Sequence, residues 1–355
     1  MFKSLFLKSP ARIIIALPAL LLLTACGSGG DKTSKTSVPV PAEPTPFSLN
    51  FKAIAGDFEV DCDNAIDGLG PNGDYSVGVA DLRFFISNLQ LFDAEGKKIA
   101  IALDANAFQL NHPKGAVALI DFTGNDSGFC KAGQEGTART NTKITGTLNA
   151  ATNNNAINKV TFDVGVAQPV MQAVIAATDV MTDAPSPLGE LQWSWASGYR
   201  HFVVNFVAMD ATHNDITVNS GFHIGSTNCA STANPSKALT DKAECGRLNT
   251  PKVELNNFNP ATQTVTVDLK AVFANVQDSD FLKATWTAIE NGDVSNCIDA
   301  RRKNDNTSCV TDQQLGLQCH SGSMQAACAS LFPNFGLTLE NGSADASKNT
   351  VFGMK

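Results

Sequence analysis

Phe47-Ser48-Leu49-Asn50-Phe51-Lys52-Ala53 alternates apolar and polar side chains without a break. A strand sends successive side chains to opposite faces, so this stretch has the pattern of a β-strand with one face in a core and the other in water. Val160 to Val166 and Thr264 to Leu269 repeat the pattern. Leu82 to Phe92, Ala116 to Phe122, Lys143 to Leu148, Leu191 to Trp195 and His201 to Ala208 are further β candidates, separated by clusters of Gly, Asn, Asp and Pro. Met171 to Val180, Asp268 to Val276 and Gln325 to Phe332 suit short helices. Short strands at this spacing, with no long helices between them, predict a mainly β chain: an antiparallel β-sandwich with long disulfide-stapled loops and a few short helices.

On the N-terminal side of the first strand the composition changes. Gly27 to Pro46 is Gly, Ser, Thr, Lys and Pro with almost no apolar content, too little to offset the entropy of ordering it. Before it, Lys3, Lys8 and Arg12 precede the apolar run Ile13 to Leu23, which stops at Leu23-Thr24-Ala25-Cys26. That is the pattern of a secretion signal with a lipobox: a basic start, an apolar stretch too short for a comfortable span, and small residues before the cysteine. The alternative is an ordinary membrane anchor. The expected organisation is a signal peptide over 1–25, a lipidated Cys26 with a flexible tether over 26–46, and one β-rich domain over 47–355. Acyl chains on Cys26 would hold the protein to a membrane by about 0.8 kcal/mol per buried CH₂. Gly27, rather than an aspartate, follows the cysteine, which favours the outer membrane, facing periplasm or cell surface.

The net charge is −8, and Arg301-Arg302-Lys303 is the only basic run of three, so nucleic acid is not an expected partner. Apart from Cys26 there remain Cys62, Cys130, Cys229, Cys245, Cys297, Cys309, Cys319 and Cys328, an even number that in an exported chain reads as a disulfide framework. Local loops suggest Cys229 with Cys245, Cys297 with Cys309 and Cys319 with Cys328, leaving Cys62 with Cys130, although several connectivities satisfy the count. Thiolate metal binding is the alternative, against which stands the absence of any CxxC pair. No GxSxG, HExxH or glycine-rich phosphate loop is present, so no enzyme is indicated. The histidines His112, His201, His213, His223 and His320 are scattered, and none is spaced from another as a helical metal pair would be.

Several segments are more specific than generic β structure. They are Asp81-Leu82-Arg83-Phe84-Phe85-Ile86-Ser87-Asn88, Leu119-Ile120-Asp121-Phe122, Phe162-Asp163-Val164-Gly165-Val166, the run Leu191-Gln192-Trp193-Ser194-Trp195 through Arg200, and His223-Ile224-Gly225-Ser226-Thr227-Asn228-Cys229. Taken in order, with Cys130, they resemble the four-cysteine-motif member of the metallo-mystery pair system, the family that includes the copper-binding protein of methanobactin operons. The resemblance runs from about Phe47 to Leu337.

The resemblance implies a periplasmic or surface-attached copper protein, encoded beside a dihaem cytochrome c peroxidase-like enzyme. That partner oxidises a tryptophan to kynurenine, on which copper binding depends. Trp193 and Trp195 match the family's Trp-Ser-Trp segment and are the candidates for modification. His223 matches its His-x-Gly-Ser-Thr and is the first candidate ligand. Where many members show Asn-His after the Phe-Asp-Val-Gly-Val strand, this chain reads Gln168-Pro169-Val170-Met171-Gln172, and the usual Cys-Met-Ser appears as Cys319-His320-Ser321. His320 and Met171 join His223 as candidate copper ligands, since imidazole and thioether both suit the metal. The competing expectation is a metal-free surface interaction or structural lipoprotein that keeps the family fold.

Overall fold

A computed structural model of the chain describes residues 43–124, 127–133, 140–148, 154–178, 183–194, 198–210, 217–230, 245–277, 316–321 and 325–355. In chain order the strands are β1 Thr45–Ala55, β2 Phe58–Glu59, β3 Ile66–Leu69, β4 Tyr75–Phe92, β5 Lys98–Ile99, β6 Ile101–Leu103, β7 Gln109–His112, β8 Gly115–Asp121, β9 Lys143–Leu148 and β10 Lys159–Val164. They continue with β11 Gln192–Ser194, β12 Gly198–Asp210, β13 Thr217–Gly225, β14 Lys252–Asn256, β15 Val265–Asp268, β16 Gln318–His320, β17 Phe335–Leu337, β18 Ala344–Asn349 and β19 Phe352–Met354. The short helices are α1 Cys130–Gly133, α2 Gln168–Ala177, α3 Leu269–Phe273 and, later in the chain, α4 Ala326–Leu331. The alternating stretch that predicted a strand is β1, which begins two residues earlier, at Thr45, and buries Phe47, Leu49, Phe51 and Ala53 while turning the residues between them outward.

Two sheets form the sandwich. The smaller runs β19-β15-β1-β9-β6, and the larger has the path β14-β10-β4-β12-β13-β16 with β8 also paired to β4. Phe51 of the small sheet meets Phe84 and Phe162 of the large one edge-on, at ring separations of 6.1 and 6.0 Å. Phe84 in turn stacks on Phe202 at 5.6 Å. Burying each such ring contributes about 1.5 to 3 kcal/mol relative to leaving it in water. The pairing is antiparallel except for β1 with β15 and β13 with β16. These two parallel pairs join segments remote in sequence, which no hairpin can bring together.

The large sheet is covered on its other face too. Phe85, Val117, Leu119, Tyr199 and Val203 pack there under α2, which contributes Val170, Met171, Val174 and Ile175. Pro169 explains why α2 starts before the expected Met171: in the first helical turn its missing N–H costs nothing. Three disulfides lie among the described residues, Cys62–Cys130, Cys229–Cys245 and Cys319–Cys328, with Cα separations of 5.2, 4.2 and 5.1 Å. Cys229–Cys245 and Cys319–Cys328 follow the local loops that the spacing suggested, and Cys62–Cys130 is the pair left over from them. Cys26, Cys297 and Cys309 lie outside the described residues.

Candidate functional site

The face of the large sheet turned away from the small one carries a row of side chains in register, polar except for Val203. Asp121 of β8 pairs with Arg83 of β4, Arg83 with Val203 of β12, Val203 with His223 of β13, and His223 with His320 of β16. Partners across a strand pair project to one face, so the two imidazoles are neighbours at the end of that row. Their Nδ1 atoms are 2.9 Å apart, and the ring centroids are 4.7 Å apart. Two histidines almost a hundred residues apart in sequence are thus joined by the parallel β13–β16 pairing.

The surroundings of His223 are set by glycines. In Gly221-Phe222-His223-Ile224-Gly225 a glycine stands two positions away on either side, on the histidine's own face. A Cβ on Gly221 would stand 3.2 Å from Asn205 Oδ1, 3.6 Å from Gln318 Oε1 and 3.6 Å from His223 Nε2. The space is filled by two amide side chains: Asn205 Oδ1 lies 2.7 Å from His223 Nε2, and Gln318 Oε1 lies 3.1 Å from His320 Nε2. On the other side, a Cβ on Gly225 would stand 3.1 Å from Cη2 of Trp193. The half-buried indole therefore rests one side-chain position from His223, about 7 Å along the strand.

Main-chain contacts fix the pair. Ser321 Oγ accepts from Gly225 N at 2.7 Å and donates to His223 O at 3.0 Å. His320 N donates to Gln325 Oε1 at 2.7 Å, and the neighbouring Cys319 is tied to Cys328 of α4. Burial holds the His223 imidazole well below its usual pKa, and the charges of His320, Arg200 and Arg83 press in the same direction. His320 is lowered by burial and then by Arg200. The site therefore disfavours protonated imidazole, the form that cannot ligate a metal.

Copper fits this donor pair. Two nitrogens bound to one ion at about 2.0 Å lie about 2.8 Å apart at right angles, about 3.3 Å apart in a tetrahedron and about 4 Å apart in a line. The observed 2.9 Å is close to the right-angle spacing and short of the tetrahedral one. Each ring also offers its remote nitrogen to a side-chain amide, the usual outer-shell support of a metal-bound histidine. Among the described residues no group of three or more His, Cys, Asp and Glu is placed to hold a metal.

Of the residues expected at the site, His223, His320 and Trp193 converge. Met171 is fully buried in the apolar cluster under α2, and its sulfur lies against Gly198 near Cys229 Sγ. Trp195 and His213 lie outside the described residues. Gln168, where the resemblance would place Asn-His, donates to Ser226 Oγ at 3.1 Å and accepts from Cys245 N at 3.1 Å. His201 is enclosed, its Nδ1 3.2 Å from Asn249 O and its Nε2 3.2 Å from Ser226 Oγ, and burial lowers its pKa to about 4. It is a structural, neutral histidine. The exposed-side His112 accepts from Lys114 N through Nδ1 at 3.1 Å. Asn205, Gln318 and Gly221 were not anticipated; the available signal was the glycine two residues to either side of His223.

A family model described as MbnP matches residues 44–291. The solved structure of MbnP from Methylosinus trichosporium resembles this chain with a TM-score of 0.59 at 21% sequence identity, over 88% of this chain and 98% of that one. At that identity the likeness concerns the fold. A search of curated proteins gives no match.

Proposed function

The chain belongs to the MbnP family, and from that premise we propose that it is a non-enzymatic, exported lipoprotein that binds a copper ion between His223 and His320. The observation that carries this reading is the 2.9 Å approach of the two Nδ1 atoms in a pocket that disfavours their protonation. Trp193, whose indole lies beside His223, would be the tryptophan oxidised by the dihaem cytochrome c peroxidase-like partner that the resemblance implies. Ring opening to kynurenine would turn a weakly basic indole, already beside the imidazoles, into an aromatic amine and a ketone, donors of the kind the His pair lacks. The copper is cargo or signal here. This chain's part is to orient two imidazoles, hold them neutral and shield one side with the indole.

The test is copper stoichiometry of mature protein from cells that also make the partner enzyme. About one copper per chain is expected, falling below a tenth of that in His223→Ala and in His320→Ala with the fold retained. Peptide mapping by mass should find the oxidised residue at Trp193. A metal-free structural or interaction lipoprotein is favoured by one observation, the lack of a third conventional ligand among the described residues. It is the reading that survives if wild type and both variants carry equally little copper and an unmodified Trp193.

Cys26 is proposed as the lipid-bearing residue, with the protein on the outer membrane. Changing Cys26 to Ser should move the chain from the membrane fraction to the soluble exported fraction without altering its thermal unfolding, because the tether separates lipid from domain. Sedimentation of the Cys26→Ser protein with membranes after a high-salt wash would sink the proposal.

A further inference from the structure

The imidazole pair poses a problem of proton placement. Each neutral ring carries one N–H and one lone pair. Two lone pairs cannot face each other at 2.9 Å without a proton or a cation between them, and two N–H groups cannot either. The contact between His223 Nδ1 and His320 Nδ1 is therefore an N–H···N hydrogen bond in the metal-free protein. Both opposite nitrogens face an amide oxygen, and the shorter of the two contacts decides which ring donates. Asn205 Oδ1 stands 2.7 Å from His223 Nε2, and a carbonyl oxygen only accepts, so His223 holds its proton on Nε2 and presents the Nδ1 lone pair. His320 must then be the donor through Nδ1–H. Its own Nε2 is then a lone pair, whereas Gln318 sets Oε1 3.1 Å from it and donates its Nε2 to Asn219 O at 3.4 Å; these longer contacts give way, Gln318 turning its NH₂ toward His320 Nε2 and releasing Asn219 O.

We propose that Asn205 and Gln318 are positioning residues for the pair, with different tasks. Asn205 locks His223 in the Nε2–H tautomer, so that its Nδ1 is permanently aimed at the shared position. Gln318 serves both tautomers of His320 by rotating its amide. In the metal-free protein its NH₂ donates to Nε2. When a cation takes the place of the Nδ1 proton, that proton appears on Nε2 and the Gln318 carbonyl oxygen accepts it. The exchange within the neutral pair moves one proton from Nδ1 to Nε2 of the same ring and releases none. Gly221 is part of the device, because a side chain there would occupy the space in which the two amide groups meet the rings.

This inference rests on the copper reading for its second half only. Selective ¹⁵N labelling of histidine and long-range ¹H–¹⁵N correlation on the metal-free full chain assigns each ring's tautomer. The expected result is His223 protonated on Nε2 and His320 on Nδ1. Asn205→Leu should replace the single His223 tautomer with a mixture, and its affinity for added copper should fall about 10- to 100-fold. Asn205→Asp, which keeps an acceptor oxygen, should restore both. A His223 protonated on Nδ1 in the wild type overturns the proposal, as does an Asn205→Leu variant with unchanged tautomer and copper affinity. If the wild type takes up no copper, the copper reading fails, and the tautomers alone decide the role of Asn205.

Discussion

Replacing Gly165 by alanine should destabilise the protein by roughly 2 to 6 kcal/mol, summing backbone strain and overpacking at a site that cannot relax. Gly165 has φ near +142°, which L side chains rarely adopt. A Cβ there would stand 2.6 Å from Cγ and 2.7 Å from Nδ1 of His201. The ring cannot withdraw, being fully buried and held by Asn249 O and Ser226 Oγ. Nor can the backbone move freely, since Gly165 N donates to Phe85 O at 2.8 Å. A loss of that size is a large share of the 5 to 15 kcal/mol that typically stabilises a domain. Urea unfolding measures it, and His201→Ala in the Gly165→Ala background should recover part of it because the two sites are coupled. A change below about 0.5 kcal/mol would show that the glycine is not required there. The glycine of Phe-Asp-Val-Gly-Val thus serves the histidine that holds the loop after β13, and so the strand that carries His223.

Strands with one wet face were legible in the sequence. β1 and β10 alternate because one side of each faces the sandwich interior, whereas β4 is buried on both faces over most of its length and mixes apolar residues with Asp81, Arg83 and Ser87, so that only its part from Leu82 to Phe92 stands out in the sequence. β13 escaped notice for a reason that belongs to the site. Its alternation is broken at Gly221 and Gly225, where Asn205 and Gln318 on one side and Trp193 on the other take the room that β13 side chains would fill. β16 is three residues long and pairs in parallel with a strand far back in the chain, so no local periodicity could reveal it. Accordingly His223 was legible through its motif, and its juxtaposition with His320 was not. A parallel register between distant segments is a property of the whole fold.

Arg83→Met should cost about 3 to 5 kcal/mol near neutral pH, the usual penalty for removing one member of a buried ion pair. Arg83 is 2% exposed and Asp81 1%, and the guanidinium meets both carboxylate oxygens, Nε to Oδ1 at 2.7 Å and Nη2 to Oδ2 at 2.6 Å. It also reaches Glu190 Oε2 at 3.3 Å. Methionine fills much of the same volume but leaves Asp81 buried without its cation. Asp121, the β8 residue paired with Arg83, makes the loss depend on pH. Burial raises its pKa from 3.8 to about 6, against the opposing pull of Thr123 and Arg83, and its Oδ2 has no hydrogen-bond partner among the described residues. The folded-state pKa lies above the unfolded one, so the neutral acid is the form the fold prefers. Stability associated with it is present at pH 4 and is lost as pH rises toward 6 and beyond. Without Arg83 the carboxylate loses its attracting cation, its pKa rises further, and the extra loss appears above pH 6. Unfolding of Arg83→Met should therefore show a larger deficit at pH 7.5 than at pH 5. In an Asp121→Asn background the deficit should differ less between the two. A cost under about 1 kcal/mol at pH 7.5, or the same cost at both pH values, would mean that this buried row is better solvated than its geometry implies.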